Sequence, residues 1–308
     1  MVNRYVNPYY SVYFAPRGAR RMLAIGRQIA QQHLDAQDRL IGLMGEAGSG
    51  KSLLIKGMFP GLELTNDDNG VNVRPLPLLD VSDNGFYQPH TYHIDIRFEM
   101  GFTQLYILAD AIDNAINKGR RVVVEHFELI YPMLRTNAEL LIGIGEEIIV
   151  TRPTLFGPEP QDIADIVMRN AIYRRMAHSA EDLTEFYLHQ HLPPDLQYIH
   201  DDIKRGFLLR FPKKPQVDLE AIEHYVHDLI SQDIPISYHD EQHILIGDKL
   251  HLCTNPRMHV SSTGKIDGFS ILNDFHYDLL NDEYILIGLV GDHSEEEEIS
   301  DINTISLD

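Results

Sequence analysis

Leu40-Ile41-Gly42-Leu43-Met44, then Gly45-Glu46-Ala47-Gly48-Ser49-Gly50-Lys51-Ser52, then Leu53-Leu54-Ile55: an apolar run, a glycine-rich octet and a second apolar run follow one another without a break. The octet fits G-x-x-x-x-G-K-[ST], and its flanks supply the order strand, glycine loop, helix. Glycines let successive backbone N–H groups turn inward around an anion, and the positive end of the following helix adds to their field. Lys51 has the reach for β- and γ-phosphates, and the Ser52 hydroxyl is placed to ligate a magnesium ion bridging the same oxygens. The stretch implies a bound nucleoside triphosphate with Mg2+, cradled by Gly45, Glu46, Ala47, Gly48, Ser49, Gly50, Lys51 and Ser52. No guanine-selecting motif follows the last strand, so ATP is the default nucleotide.

Outward from the octet, residues 18–37 read as an amphipathic helix with Met22, Ile25, Ile29 and Leu34 at helical spacing. On the other side Pro60-Gly61 stops the helix, and residues 62–90 read as a mobile connection with turn material at 66–70. Residues 92–96 then form a strand, 102–118 a helix, and 121–125 and 147–150 two more strands. This alternation predicts an α/β domain with a mainly parallel sheet and ligands at the carboxyl ends of its strands. A triphosphate site needs a carboxylate there, and Asp95 and Glu125 stand at strand ends. Lys51, Asp95 and Glu125 are therefore the expected catalytic residues, and Ser52 and Asp95 the expected magnesium ligands. Arg97 is in line to neutralise phosphate charge.

Arg152-Pro153 and Gly157-Pro158-Glu159-Pro160 break the chain. Beyond them a helical pattern over 160–188, strands near 207–211, 249–253 and 284–289, and a helix over 218–231 describe a smaller α+β domain. The expected organisation is a nucleotide-binding domain at 1–155, a second domain at 156–293, and a disordered acidic tail at 294–308 containing Glu295-Glu296-Glu297-Glu298.

Composition bounds these readings. With 44% hydrophobic and 23% charged residues in 308, the chain has a globular profile, and no run reaches the roughly 18 apolar residues of a membrane span. A membrane-embedded protein is excluded. The start, Met1-Val2-Asn3-Arg4-Tyr5, lacks a secretory apolar core, and one cysteine excludes an internal disulfide framework; the expected location is the cytoplasm. A net charge of −20 argues against a broad nucleic-acid face. From Asp282 onward there are nine acidic residues and no Lys or Arg, so the remainder carries −11 and leaves room for local basic patches at Arg20-Arg21, Arg174-Arg175, Lys204-Arg205 and Lys213-Lys214.

The second domain offers candidate metal ligands. Cys253 and His259 share one turn-rich segment, while His178 and Asp182, at i and i+4, share one helix face. Thiolate, imidazole and carboxylate are zinc donors, which makes these four a candidate Zn2+ set.

Two resemblances extend the reading. The glycine octet, His93-Ile94-Asp95-Ile96-Arg97 and Val122-Val123-Val124-Glu125-His126-Phe127-Glu128 together resemble the bacterial ATPase family that assists threonylcarbamoyladenosine formation on tRNA, over residues 38–152. The resemblance implies that Asp95 belongs to the magnesium and catalytic site with Glu125 beside it. This chain lacks the tyrosine that the family places before its arginine, and its segment from Asn66 to His90 is an addition. Residues 178–290 resemble the second additional domain of alanyl- and threonyl-tRNA synthetases, an editing module that also occurs as free-standing hydrolases of mischarged tRNA. The carrying segments are Cys253 to Ile266, Gly206 to Phe211, and Leu219 to Pro235. Here Asp182 takes the place of the second helix histidine, and five residues rather than three separate Cys253 from His259. The resemblance implies a zinc ion that activates water for ester hydrolysis or holds an amino-acid amine, His189 and His191 as aids to proton transfer, and tRNA or aminoacyl-tRNA as partner.

Together these readings predict an ATP-hydrolysing domain coupled to an editing-like domain. Two alternatives stand beside it: a small-molecule kinase using the same loop, and a non-catalytic switch in which nucleotide orders residues 62–90.

Overall fold

The computed structural model describes residues 10–66, 76–81, 90–193, 196–253 and 256–292. The acidic tail expected at 294–308, and residues 67–75 and 82–89 of the expected mobile connection, lie outside these. The chain divides into two compact units, residues 1–170 and 171–308.

The first unit runs β1 (Ser11–Phe14), α1 (Ala19–His33), β2 (Leu40–Gly45), α2 (Lys51–Met58), β3 (Thr91–Asp95), α3 (Ile96–Glu99), α4 (Leu105–Asn117), β4 (Arg121–Glu125), α5 (Phe127–Ile130), β5 (Leu140–Ile144) and β6 (Glu147–Thr151). The strands make one mixed sheet in the order β1-β6-β5-β2-β4-β3. β5, β2, β4 and β3 are parallel, while β6 and β1 add an antiparallel edge. β2 is buried along its whole length because both faces are covered. Leu40 and Met44 join a core with Leu108 and Ile112 of α4, whereas Ile41 and Leu43 join a second core with Met22, Ile29, Leu54 and Ile55 of α1 and α2. The two helices meet at Gly26 and Gly57, where an added Cβ on Gly26 would stand 2.4 Å from the Leu54 carbonyl oxygen.

Three local expectations change. α1 ends at His33 rather than 37, because Leu34 is extended and the following chain folds onto Asp38, whose Oδ2 accepts the Asp35 N–H at 2.7 Å. Asp38 is fully buried and held by both Arg152 guanidinium nitrogens at 2.8 Å. Residues 140–151 form a β-hairpin rather than a single strand. Within the expected connection, a 3₁₀ turn at Pro77–Asp80 is anchored by buried Leu76, Leu78 and Val81.

α6 (Pro160–His191) begins with Pro at its first position, and the Glu159 N–H donates to Asp162 Oδ2 at 2.9 Å, half of a capping box. Its early turns bury Ile163, Ala164 and Val167 in the first unit, and its later turns bury Met176, Ala177, Ala180 and Leu183 in the second.

The second unit continues with β7 (Ile199–Ile203), β8 (Gly206–Phe211), α7 (Leu219–Ser231), β9 (Ile236–Tyr238), β10 (His243–Ile246), β11 (Lys249–Leu252), β12 (Ser270–Ile271), β13 (His276–Asp278) and β14 (Glu283–Leu289). They form two separate antiparallel sheets, β12-β14-β8-β7 with β13 on β14, and β11-β10-β9. Phe207, Leu209 and Phe211 alternate onto the face that packs with Ile222 and Val226 of α7 and with Leu183 of α6; Leu208 turns to the other face with Ile203 and Ile287. The α/β expectation thus holds in its coarse form: a mixed, mostly parallel sheet followed by antiparallel sheets. Among the described residues no helix is long and apolar enough to cross a membrane.

Candidate functional site

The first unit gathers its polar residues where β2 ends. Gly45, Gly48 and Gly50 all take positive φ (147°, 79° and 94°), so a side-chain-bearing residue would be strained at each turn of the loop. Lys51 opens α2 and is only 5% exposed. Its Nζ donates to the carbonyl oxygens of Gly45 (3.0 Å) and Glu46 (2.8 Å) and lies 3.9 Å from Glu125 Oε2. The Ser52 hydroxyl donates to Glu125 Oε1 at 3.2 Å, and His93 Nε2 lies 3.1 Å from the same oxygen.

The His93 tautomer follows from its other side. Nδ1 accepts the Thr65 backbone N–H at 3.1 Å, so a neutral ring carries its proton on Nε2 and donates it to Glu125. Burial alone would raise the Glu125 carboxyl. The hydrogen bond from His93 and the charges of His93, Lys51 and His126 outweigh it and hold the group below the ordinary carboxylate range. Directly after Glu125, His126 sits in the left-handed region (φ 56°) and swings the chain into α5. Glu128, on that turn, is buried, and its Oε2 has no hydrogen-bond partner among the described residues.

Of the residues expected from the sequence, Lys51, Ser52 and Glu125 converge. Asp95 is the cross-strand partner of Glu125 at the ends of β3 and β4, but its oxygens serve local structure: Oδ1 accepts the Phe98 N–H at 3.1 Å as the cap of α3, and Oδ2 accepts Asn66 Nδ2 at 3.0 Å. His93 lay within the quoted motif without a role; the structure makes it the group that fixes Glu125.

In the second unit one helix face meets one strand face. His178 and Asp182 are i and i+4 on α6. β11 alternates, with Leu250 and Leu252 exposed and His251 buried, so His251 and Cys253 point the same way. His178 Nε2 lies 3.2 Å from Cys253 Sγ, Cys253 Sγ lies 3.6 Å from His259 Nε2, and His259 Nε2 lies 2.8 Å from Asp182 Oδ2. All four donor atoms fall within 4.8 Å of one another. Donors around a tetrahedral zinc, at the usual Zn–N and Zn–S lengths, stand about 3.3–3.6 Å apart; the two contacts of Cys253 are near that range, whereas the His259–Asp182 pair is at hydrogen-bond distance and would have to open to admit an ion. Both imidazoles present Nε2 inward, and each Nδ1 faces an oxygen: Glu181 Oε2 at 3.5 Å from His178, and the Pro256 carbonyl at 3.2 Å from His259. Only the His259 contact is a hydrogen bond; His178 Nδ1 has no hydrogen-bond partner among the described residues.

Burial works against ionised Asp182, but the charge of His178, the neighbouring His251 and the hydrogen bond from His259 hold it far below the usual range. Burial and the charge of His178 pull His259 down, against the opposing hydrogen bond from its Nε2 to Asp182.

Beside this cluster is a second group that the sequence reading missed. Glu185, three residues after Asp182, has Oε1 fixed by the Tyr198 hydroxyl (2.7 Å) and His200 Nε2 (3.2 Å). His200 Nδ1 lies 2.9 Å from Glu181 Oε1. Burial lowers His200, but its hydrogen bonds with Glu181 and Glu185 raise it to about 10; burial raises Glu185, but His200, His251 and Tyr198 bring it to about 2. The available signals were the i+3 step from Asp182 to Glu185 and the two-residue step from His251 to Cys253. His189 is exposed and meets Tyr198 at 3.2 Å, at the margin of this group. His191 is exposed, stacks on Tyr187 and bonds the Tyr187 carbonyl, away from the donors. The sequence matches no protein-family model, and no curated protein is significantly similar to it.

Proposed function

We propose that the first unit is a magnesium-dependent nucleoside triphosphate hydrolase and that the second uses a zinc centre to engage the aminoacyl end of a tRNA. The observation that carries this reading is the convergence of Lys51 Nζ, Ser52 Oγ and the Glu125 carboxylate beside a loop turned by three positive-φ glycines. Lys51 now satisfies two loop carbonyls, and a bound phosphate would take over its charge. Ser52 and Glu125 would supply oxygen donors for Mg2+, which when bound would neutralise charge on the β- and γ-phosphates; Asp95, on the next strand, would first have to release Asn66 or the Phe98 N–H. In hydrolysis the water oxygen bonds to the γ-phosphorus as the bond to the β–γ bridging oxygen breaks. The water proton passes to a phosphate or carboxylate oxygen, giving nucleoside diphosphate and phosphate.

For the second unit, a shell of four protein donors suits holding and recognition rather than an exposed reactive ion. A zinc held by all four donors would have no open position, and its role would be to order the surface that meets the aminoacyl end. The tRNA assignment is supported by the resemblances of residues 38–152 and 178–290, which point toward the same substrate class.

Lys51→Ala is expected to lower phosphate release from ATP by at least about a hundredfold, with an unchanged circular dichroism spectrum. Undiminished turnover overturns the assignment. Transfer to a metabolite instead of release as free phosphate would make the unit a kinase, and tight binding without turnover a switch.

A further inference from the structure

Asp182 divides its two oxygens. Oδ2 faces His259 at 2.8 Å, inside the four-donor cluster, while Oδ1 faces the other way, 3.7 Å from His251 Nε2. Glu185 divides its oxygens as well: Oε1 is held by Tyr198 and His200, and Oε2 lies 3.7 Å from the same His251 nitrogen. His251 is 6% exposed, and its Nε2 has no hydrogen-bond partner among the described residues, since both carboxylate oxygens stand too far away. A buried imidazole nitrogen at ion-pair distance from two buried carboxylates, with a hydrogen bond to neither, leaves its hydrogen-bonding capacity unused. The spacing has a simple meaning. Two donors each about 2.1 Å from a shared ion and about 120° apart stand about 3.6 Å from each other. The three donor atoms lie within 4.8 Å of one another.

We propose that Asp182 Oδ1, Glu185 Oε2 and His251 Nε2 form a second divalent-metal site, joined to the first through the Asp182 carboxylate. Asp182 makes this geometry possible, because its carboxylate turns Oδ2 to one group of donors and Oδ1 to the other. The donor set is nitrogen and oxygen without sulfur, suited to zinc or manganese, and three protein donors leave a coordination position for solvent or substrate. His200 is the shared outer support. It bonds Glu181, which backs His178 of the first site, and Glu185 of the second. The inference deepens the zinc reading above, since Asp182 belongs to both sites.

The test is elemental analysis of the full chain, stripped with a chelator, reloaded with excess zinc and desalted. Wild type is expected to hold two equivalents. Glu185→Gln is expected to hold one while its cobalt-loaded form keeps the thiolate-to-cobalt absorption of Cys253, which also shows that the variant is folded. Two equivalents retained by Glu185→Gln overturn the proposal. One equivalent in wild type, lost in Cys253→Ser, overturns the second site and leaves the first. One equivalent lost in Glu185→Gln but kept in Cys253→Ser overturns the first and leaves the second; none in wild type overturns both.

Discussion

His93 donates from Nε2 to Glu125 Oε1 across 3.1 Å, and the Thr65 N–H on its opposite nitrogen fixes which way that proton points. The pair joins adjacent parallel strands at their carboxyl ends, where the lysine and serine of the glycine loop reach the same carboxylate. His93→Leu would leave a buried, ionised Glu125 short of one donor. The expected result is a loss of about 1–3 kcal/mol in urea unfolding, together with reduced ATP turnover. His93→Gln, which keeps a terminal N–H donor, should recover part of both. Unchanged stability in His93→Leu would mean that the carboxylate is satisfied without it.

Asp182 faces two imidazoles, His259 at 2.8 Å and His251 at 3.7 Å. In metal-free protein, Asp182→Ala strands the imidazole of His251 with a single carboxylate, and removing one member of such a buried charged group costs about 3–5 kcal/mol. Denaturation in EDTA measures this. With zinc present, the same variant should lose the zinc that wild type retains through desalting.

The pH dependence of stability has a defined sign. His200 is raised from 6.5 to about 10, so its contribution is complete below pH 6.5 and is lost as pH rises through 10. Glu185 is lowered from 4.5 to about 2, so its contribution is complete above pH 4.5 and is lost as pH falls through 2. Metal-free protein should therefore be most stable between these limits. His200→Asn should flatten the decline between pH 6.5 and 10; a variant whose alkaline limb matches wild type would separate His200 from the stability of this unit.

Gly26→Ala tests the crossing of α1 and α2. Alanine gains about 1 kcal/mol over glycine in a helix, but its methyl group would stand 2.4 Å from the Leu54 carbonyl and 3.1 Å from the Gly57 Cα, both main-chain atoms. Backbone cannot rotate away, and the overpacking cost of about 1–3 kcal/mol prevails. Net destabilisation in urea is expected; a gain would show that the helices separate freely.

The parts legible in the sequence were those whose local chemistry and burial agree. The octet at 45–52, the apolar β2 and the i, i+4 pair on α6 could be read directly. β5 was missed because Gly143 and Gly145 look like punctuation. In the fold they are points of close approach to α6: an added Cβ on Gly145 would meet the Val167 carbonyl oxygen at 2.4 Å. β7, Ile-His-Asp-Asp-Ile, was missed because it is an edge strand and needs only one apolar face. Glu185 and His251 were missed because their meeting depends on how β11 lies against α6. Neither periodicity states that.

α6 supplies walls to two cores and, to the second, the candidate metal donors His178, Asp182 and Glu185, on one helix of 32 residues. Cutting the protein between its compact units would therefore sever a helix in mid-course and leave roughly four carbonyls at one raw end and four N–H groups at the other without partners. Either half prepared alone needs a helical extension borrowed from its neighbour, since Ile163, Ala164 and Val167 belong to the first core and Met176, Ala177, Ala180 and Leu183 to the second.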